Sequence, residues 1–465
     1  MKNEVIRTET INLNTKYEKT EGINSALNWL FEKLKRDNVK YCVLHSYETL
    51  PDFSESDIDI CIERRFFSKI PFILSELENA TGWTVVQKIQ HEYNCEYYVL
   101  YKLIDNKIEF LQLDFCTDYV RDKRICIENE KLLSDIREYK NFYIPSISNE
   151  ILYLTIKKVL KQNIREKQKE TLHRLIHQNQ EVAYKTLNKY FNEYYSNLLI
   201  NSILDNNWIA IERNFKELRK HLLKSLLYMN FKGVIKYYYK DLIRRINRCI
   251  SPTGLHVVLL GPDGVGKTSV SYYLSRHLRA FFRRFDYYHL KPKWNSNNEL
   301  RKGSSGKIFE FDFDYKPTKR DKVISYFRVL YHFIISYILL YWLKIYPQKI
   351  KSSLILFDRY HYDYAIFPLS KKYFGSITFL WNFIKLLPQP DLTIYLSCAP
   401  EIIIRRKNEL NIEEIRNQQK RVSEFSEDIK NFSTIDAEQS LDRVCLDVAL
   451  EILNFMSVKY KKLNF

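Results

Sequence analysis

Hydrophobic positions along the chain change their period twice. Over residues 22–145, helix-like and strand-like patterns mix. An amphipathic stretch, Ile23–Leu34, leads into a short apolar run, Tyr41–Leu44. A Pro/Ser-rich turn and an alternating run, Ile58–Ile62, follow. Two further strand-like runs, Glu96–Leu103 and Lys107–Phe115, flank the turn dipeptide Asp105-Asn106. Over 147–250 the period is helical: Ile151–Leu160, Glu170–Ile176, Ala183–Leu199 and Asn214–Leu227 carry apolar residues three and four apart. Ser251-Pro252-Thr253-Gly254 breaks that pattern, and a β–α pattern runs from there to the end. The reading is an α/β chain in three parts: a mixed α/β domain over 1–146, a helical basic cap or connector over 147–250, and a parallel-sheet domain over 251–465.

One apolar run stands apart. Val329–Leu343 holds fifteen residues, His332 among them, which is short for a membrane span and predicts a buried or interfacial helix. Bulk composition agrees with a globular protein, at 45% hydrophobic and 28% charged over 465 residues, enough for two or three domains. The eight cysteines are scattered with no CxxC pair, so a disulfide scaffold is excluded and reduced thiols are expected. The polar N-terminus lacks the apolar core of a secretion signal, and a cytoplasmic location is expected.

Charge adds a feature that hydropathy does not show. The net charge is +17, and residues 151–250 alone hold 20 Lys and Arg against 8 Asp and Glu. Lys216, Arg219, Lys220, Lys224, Lys232, Lys236, Lys240, Arg244, Arg245 and Arg248 recur mostly at helical spacing, with Tyr237–Tyr239 interleaved. Such a stretch is either a solvated helical face or, through 216–248, a surface for a polyanion or an anionic membrane, which would put the protein at the membrane periphery.

Glycine is scarce, ten in all, yet Gly261, Gly264 and Gly266 fall within six residues. The apolar run His256–Leu260 leads straight into Gly261-Pro262-Asp263-Gly264-Val265-Gly266-Lys267-Thr268, and a helical pattern follows from Ser269. Strand, GxxxxGK[ST] loop and helix in that order make a phosphate cradle. Side-chain-free backbone lets amide N–H groups close around phosphates, the helix start adds partial positive charge, Lys267 reaches the β- and γ-phosphates, and the Thr268 hydroxyl binds Mg²⁺. ATP and Mg²⁺ are thus the expected cofactors. A second strand, Leu354–Phe357, ends in Asp358-Arg359-Tyr360. A carboxylate at that strand end, Asp358, can hold the magnesium shell or orient an acceptor, and Arg359 can grip an acceptor phosphate. A third strand, Leu392–Leu396, leads through Pro400 into a helix with Arg405, Arg406 and Lys407, which either close over the transferring phosphoryl group or form a solvated face.

In order and spacing, GPDGVGKTS, FDRYHYDY, YLSCAPEIIIRRK and IDAEQSLDRVCLDVALEIL resemble the thymidylate kinase family over roughly residues 255–458. The resemblance implies a parallel five-stranded sheet, a mobile lid near Arg405–Arg416, ATP with Mg²⁺ as donor, and Asp358 with Arg359 at the acceptor. Two departures stand out. Leu290-Lys291-Pro292-Lys293-Trp294 lacks the family's acceptor signature, Arg-Glu-Pro-Gly, and Lys302–Tyr346 is longer and more aromatic. In this the chain looks like divergent thymidylate-kinase-like proteins of bacterial surface-polysaccharide gene clusters, a likeness that implies a sugar or another small phosphate compound as acceptor.

The N-terminal region carries its own chemistry. In Tyr41–Glu63 an apolar run ends in His45-Ser46, and Asp57 and Asp59 follow on one face of an alternating strand. Adjacent carboxylates repel unless a cation sits between them, so the pair points to Mg²⁺. Asp114, again between apolar residues on a strand, completes a set of three able to hold two metals. Ser46, Asp57, Asp59 and Asp114 resemble the pattern of the DNA polymerase β type of minimal nucleotidyltransferase, with His45 where that family has glycine. Together these features predict an ATP-dependent kinase acting on a small phosphate acceptor, a nucleoside monophosphate or sugar-like compound, joined to a nucleotidyltransferase. The alternatives are a kinase with a non-catalytic N-terminal binding module, or an ATP-switched protein binding a polyanion or membrane surface. A second copy of the chain, as a homodimer, is a further expected partner.

Overall fold

The structure, a computed structural model, describes residues 22–54, 56–290, 317–368, 371–406 and 412–464. Its contacts divide the chain into two units, one of residues 1–246 with 460–465, the other of residues 247–459.

The first unit is built on a five-stranded mixed sheet of order β1-β2-β5-β4-β3: β1 Tyr41–Val43, β2 Ile58–Ile62, β3 Thr84–Glu92, β4 Cys95–Ile104 and β5 Lys107–Cys116. The β4–β5 hairpin turns at Asp105-Asn106, both at positive φ (48° and 58°), as a two-residue turn between right-twisted strands requires. β2 runs parallel to β5 with Asp59 opposite Asp114. Helices α1 (Ile23–Arg36) and α2 (Ile70–Thr81) bury Phe31, Leu34, Leu74 and Leu77 into one core with Trp83, Tyr98 and Phe115. Two small ribbons, β6–β7 (Tyr119–Arg121, Arg124–Ile127) and β8–β9 (Arg137–Tyr139, Phe142–Ile144), follow.

Helix α3 (Ile147–Lys161) begins at Ser146, whose side chain accepts from Asn149 N, and is buried from Asn149 to Leu160. It is the centre of a second core made with α4 (Glu166–Gln178), α5 (Gln180–Leu187), α6 (Glu193–Leu204) and α7 (Trp208–Met229). The single helix expected over Ala183–Leu199 is two. Residues 188–192 leave the helix, and the Asn192 side chain accepts from Tyr195 N to start the next one, a local cap that outweighs the continuous apolar spacing. Helix α8, Phe231–Ile250, carries the rest of the basic stretch.

The second unit has a five-stranded sheet, all parallel, of order β11-β12-β10-β13-β14: β10 Leu255–Leu260, β11 Arg284–His289, β12 Ser353–Asp358, β13 Leu392–Ser397 and β14 Phe432–Asp436. β10 and β12 are buried along their whole length, which is why both read as continuous apolar runs. Around the sheet lie α9 (Lys267–His277), the long α10 (Lys319–Ile350, with π turns at Phe333–Leu339 and Tyr341–Ile345), α11 (Ile377–Ile384), α12 (Pro400–Arg406), α13 (Ile412–Ser426) and α14 (Leu441–Asn464). The α/β architecture is that expected. The run Val329–Leu343 lies within α10, which buries one stripe and exposes another.

Candidate functional sites

In the second unit the site forms at the carboxyl edge of the parallel sheet. β10 ends at Leu260 and opens into the glycine-rich loop 261–266. Gly261 has φ +148°, and a Cβ there would lie 3.0 Å from both Leu396 O and Val265 Cγ1. Gly266, at φ +106°, caps α9 in a conformation side chains resist. Lys267, Thr268 and Ser269 form the first turn of α9, with Thr268 and Ser269 exposed and Lys267 buried. The Lys267 ammonium donates to Gly261 O and Pro262 O, 2.9 Å each, and stands 3.7 Å from Asp263 Oδ1. Burial pushes its pKa down.

Asp358 ends β12, in register with Leu259 on β10 and His289 on β11. Its Oδ2 accepts from the Tyr287 hydroxyl at 3.1 Å and lies 3.7 Å from His289 Nδ1. Its Oδ1 is buried and has no hydrogen-bond partner among the described residues. Burial pushes this carboxyl up, but His289, the Lys267 ammonium and Arg359 outweigh it and hold it below the usual carboxylate value. Arg359, at φ +70°, is paired with Asp263 and donates to Asp363 Oδ2 at 2.8 Å. A buried, ionised carboxylate with one oxygen unpaired fits a hard cation, and Thr268 supplies a hydroxyl at the loop's end. Beside the loop is a small cavity of about 10 Å³, lined by Leu260, Gly261, Pro262, Asp363, Ile366, Phe367, Tyr395, Gln418 and Val422. Gln418 Oε1 is buried and unpartnered.

Arg405 and Arg406 are exposed at the end of α12, where Arg406 donates to Ala437 O at 3.0 Å. Residues 407–411 of the expected lid, Lys407 among them, and Lys291–Trp294 lie outside the described residues, as do the first twenty.

In the first unit, carboxylate oxygens of Asp57, Asp59 and Asp114 lie within 4.8 Å of one another, Asp57 just before β2 and the other two side by side on parallel strands. Asp59 Oδ2 accepts from Lys157 Nζ at 2.9 Å and lies 2.5 Å from His45 Nε2. Lys157 also stands 2.5 Å from His45 Nε2 and donates to the Tyr153 hydroxyl at 2.8 Å. His45 Nδ1 is 2.8 Å from Ser46 Oγ, with Ser46 at φ +55°. Asp114 Oδ1 accepts from Cys95 Sγ at 2.9 Å. The three acids therefore titrate differently. Burial and the Asp59 charge push Asp114 up to about 7 and also raise Asp57, whereas the Lys157 and His45 contacts overcome burial and hold Asp59 far below the usual range.

The spacing arguments thus find the loop, Asp358, and all three N-terminal acids as neighbours. They do not find Lys157, whose signal is a lysine inside a helix that is otherwise apolar, nor Tyr287, His289 and Asp363. They also leave out Gln418, for which no local pattern exists.

Among solved structures, JHP933 from Helicobacter pylori is similar at 11% identity and TM-score 0.26, over 50% of this chain and 98% of that one. Deoxyadenosine kinase from M. mycoides with bound dCTP is similar at 17% identity and TM-score 0.22, over 43% of this chain and 98% of that one. No curated protein matches the chain. Residues 260–448, most of the second unit, match the family model described as Thymidylate kinase.

Proposed function

We propose that the chain is an ATP-dependent nucleotide-kinase-type phosphotransferase whose first unit is a nucleotidyltransferase. The observation that carries the kinase reading is Asp358: a buried carboxylate with one unpaired oxygen at the strand end beside a loop whose lysine rests on its own carbonyls. On this reading Thr268 and Asp358 hold Mg²⁺. When bound, Mg²⁺ draws charge from the phosphate oxygens. The loop amides wrap the ATP phosphates, and Lys267 leaves Gly261 O and Pro262 O for the β- and γ-phosphates. Arg359, pre-positioned by Asp263 and Asp363, grips the acceptor at the mouth of the small cavity that the unpartnered amide oxygen of Gln418 also lines. Arg405 and Arg406 supply further cations to the donor phosphates. A nucleoside monophosphate or sugar-like compound is the acceptor class.

The test is Mg²⁺-dependent ATP turnover by the full chain against nucleoside monophosphates, dTMP included, and sugars, with Lys267→Ala as control. Acceptor-stimulated turnover that Lys267→Ala retains would refute the kinase reading. For the first unit, pyrophosphate release from nucleoside triphosphates should depend on Asp57 and Asp59. A second reading, a non-catalytic N-terminal module, is favoured by one observation: Lys157 and His45 already occupy Asp59. No Asp57-dependent pyrophosphate release under any divalent metal would select it. Basic residues of 216–248 form, in this proposal, a polyanion-binding face of a cytoplasmic protein, and salt-independent retention on an anionic column would count against that.

A further inference from the structure

Helix α10 has two apolar faces. The inner one, Val329, Phe333, Tyr337, Tyr341 and Ile345, packs into the core beside the sheet with Phe357, Tyr360 and Tyr364. The outer one is exposed: Phe327, Leu330, Tyr331, Ile334, Trp342 and Leu343 repeat at helical spacing, with Phe327 69% and Trp342 57% accessible. Only 33% of the helix's most apolar window is buried, although its length and composition would suffice to cross a membrane. A soluble surface rarely leaves so long an apolar row uncovered.

Charge on this row says what covers it. Between Val323 and Leu343 one charged residue, the half-buried Arg328, interrupts the apolar sequence. Exposed Lys319, Arg320 and Lys322 precede it, exposed Lys351 follows, and Asp321 is the only acid in the whole helix. Pairing with a second copy, in either orientation, would set these cations against cations with almost no carboxylate to compensate. A negatively charged bilayer surface offers the opposite: acyl chains for the row, phosphates for its ends, and a headgroup zone suited to the rings of Tyr331 and Trp342.

We infer that the outer face of α10 docks the kinase unit on an anionic lipid surface, lying in the interface while the inner face stays in the protein core. This stands apart from the catalytic reading, since none of these side chains belongs to either site. The full chain should co-sediment with phosphatidylcholine–phosphatidylglycerol vesicles and not with phosphatidylcholine alone. Phe327→Ser with Trp342→Ser should weaken that binding about tenfold or more, and Lys319→Glu with Lys322→Glu should weaken it and flatten its salt dependence. Because all four residues are exposed, unchanged thermal unfolding and ATP turnover are expected of the variants. Binding that the apolar variant leaves unchanged overturns the inference. So does absence of vesicle binding at low salt, or a dimer in solution that the apolar variant dissociates.

Discussion

The two carboxylate sites solve the same electrostatic problem in opposite ways. In the second unit, Asp358 Oδ1 is left without a partner, and the nearby lysine is parked on backbone carbonyls. In the first, the lysine and a histidine sit directly on Asp59, the middle acid of three. A cation can enter the one without breaking an ion pair, and must compete with Lys157 in the other. The contrast follows from backbone supply. Loop carbonyls at Gly261 and Pro262 can hold an ammonium where glycine lets the chain curl. His45, with a side chain in glycine's expected place, instead fills the space beside Asp59. An acid site is thus set less by its count of carboxylates than by where its cations rest in the absence of ligand.

The largest effect should come from removing the parked lysine. Lys267→Ala should cut kcat/KM for ATP-dependent phosphoryl transfer by about a thousandfold, the scale of losing a charged donor to the transferring group. Unfolding should change little, because among the described residues the lysine donates to two loop carbonyls and stands 3.7 Å from Asp263, which keeps Arg359 as a partner. Asp358→Asn comes next. A loss of about a hundredfold is expected, together with a raised Mg²⁺ requirement, read from turnover against Mg²⁺ concentration. If Asp358→Asn kept both rate and Mg²⁺ dependence, the unpaired oxygen would not be a metal ligand, and the contrast would fail on its simpler side.

Lys157→Met probes the other side. It removes the ammonium that Asp59 relies on, so the metal-free protein should lose about 3 kcal/mol of stability in chemical denaturation of the first unit. Mn²⁺ should then bind about tenfold more tightly, by titration calorimetry, and restore the loss, since the competitor is gone. Equal Mn²⁺ affinity in wild type and variant would mean that Lys157 moves aside at no cost and the two sites do not differ in kind.

How much of this was readable in advance depends on where the chemistry lies along the chain. The phosphate loop is local: its strand, turn and helix start occupy consecutive residues, and their spacing is diagnostic. Asp57 and Asp59 are one alternation apart, and Asp114 sits opposite Asp59 because two apolar strands must share one sheet. Lys157 was hidden because it arrives from a separate helix, almost a hundred positions away. β3 and β11 are not marked by apolar pattern, for a different reason. Thr84–Glu92 and Arg284–His289 carry polar and half-buried residues, so neither shows the clean apolar run of β10. The break at 188–192 went unseen because Asn192 caps a helix through one side-chain hydrogen bond, which apolar periodicity does not register.

The last effect, confined to low pH, concerns a group that binds nothing. His256 is fully buried on β10, and neither ring nitrogen has a hydrogen-bond partner. Its surroundings are rings, Phe357 at 4.9 Å and Tyr360 at 5.1 Å, and burial pushes its pKa down to about 3. The sign follows from linkage. The folded state holds the neutral ring and the unfolded state takes a proton near the ordinary histidine value, so the stability is fully present above about pH 6.5 and is lost as pH falls toward 3. By pH 4 this one group should cost the second unit on the order of 3 kcal/mol. His256→Leu keeps the ring's apolar contacts in part and cannot be protonated. The denaturation midpoint of the second unit, assigned by its shift with ATP, should therefore fall less between pH 7 and pH 4 in the variant, while the first unit's midpoint moves alike in both proteins. A parallel fall in the variant would mean that the acid sensitivity lies in paired carboxylates, and that the second unit, like the first, is governed by its ion pairs.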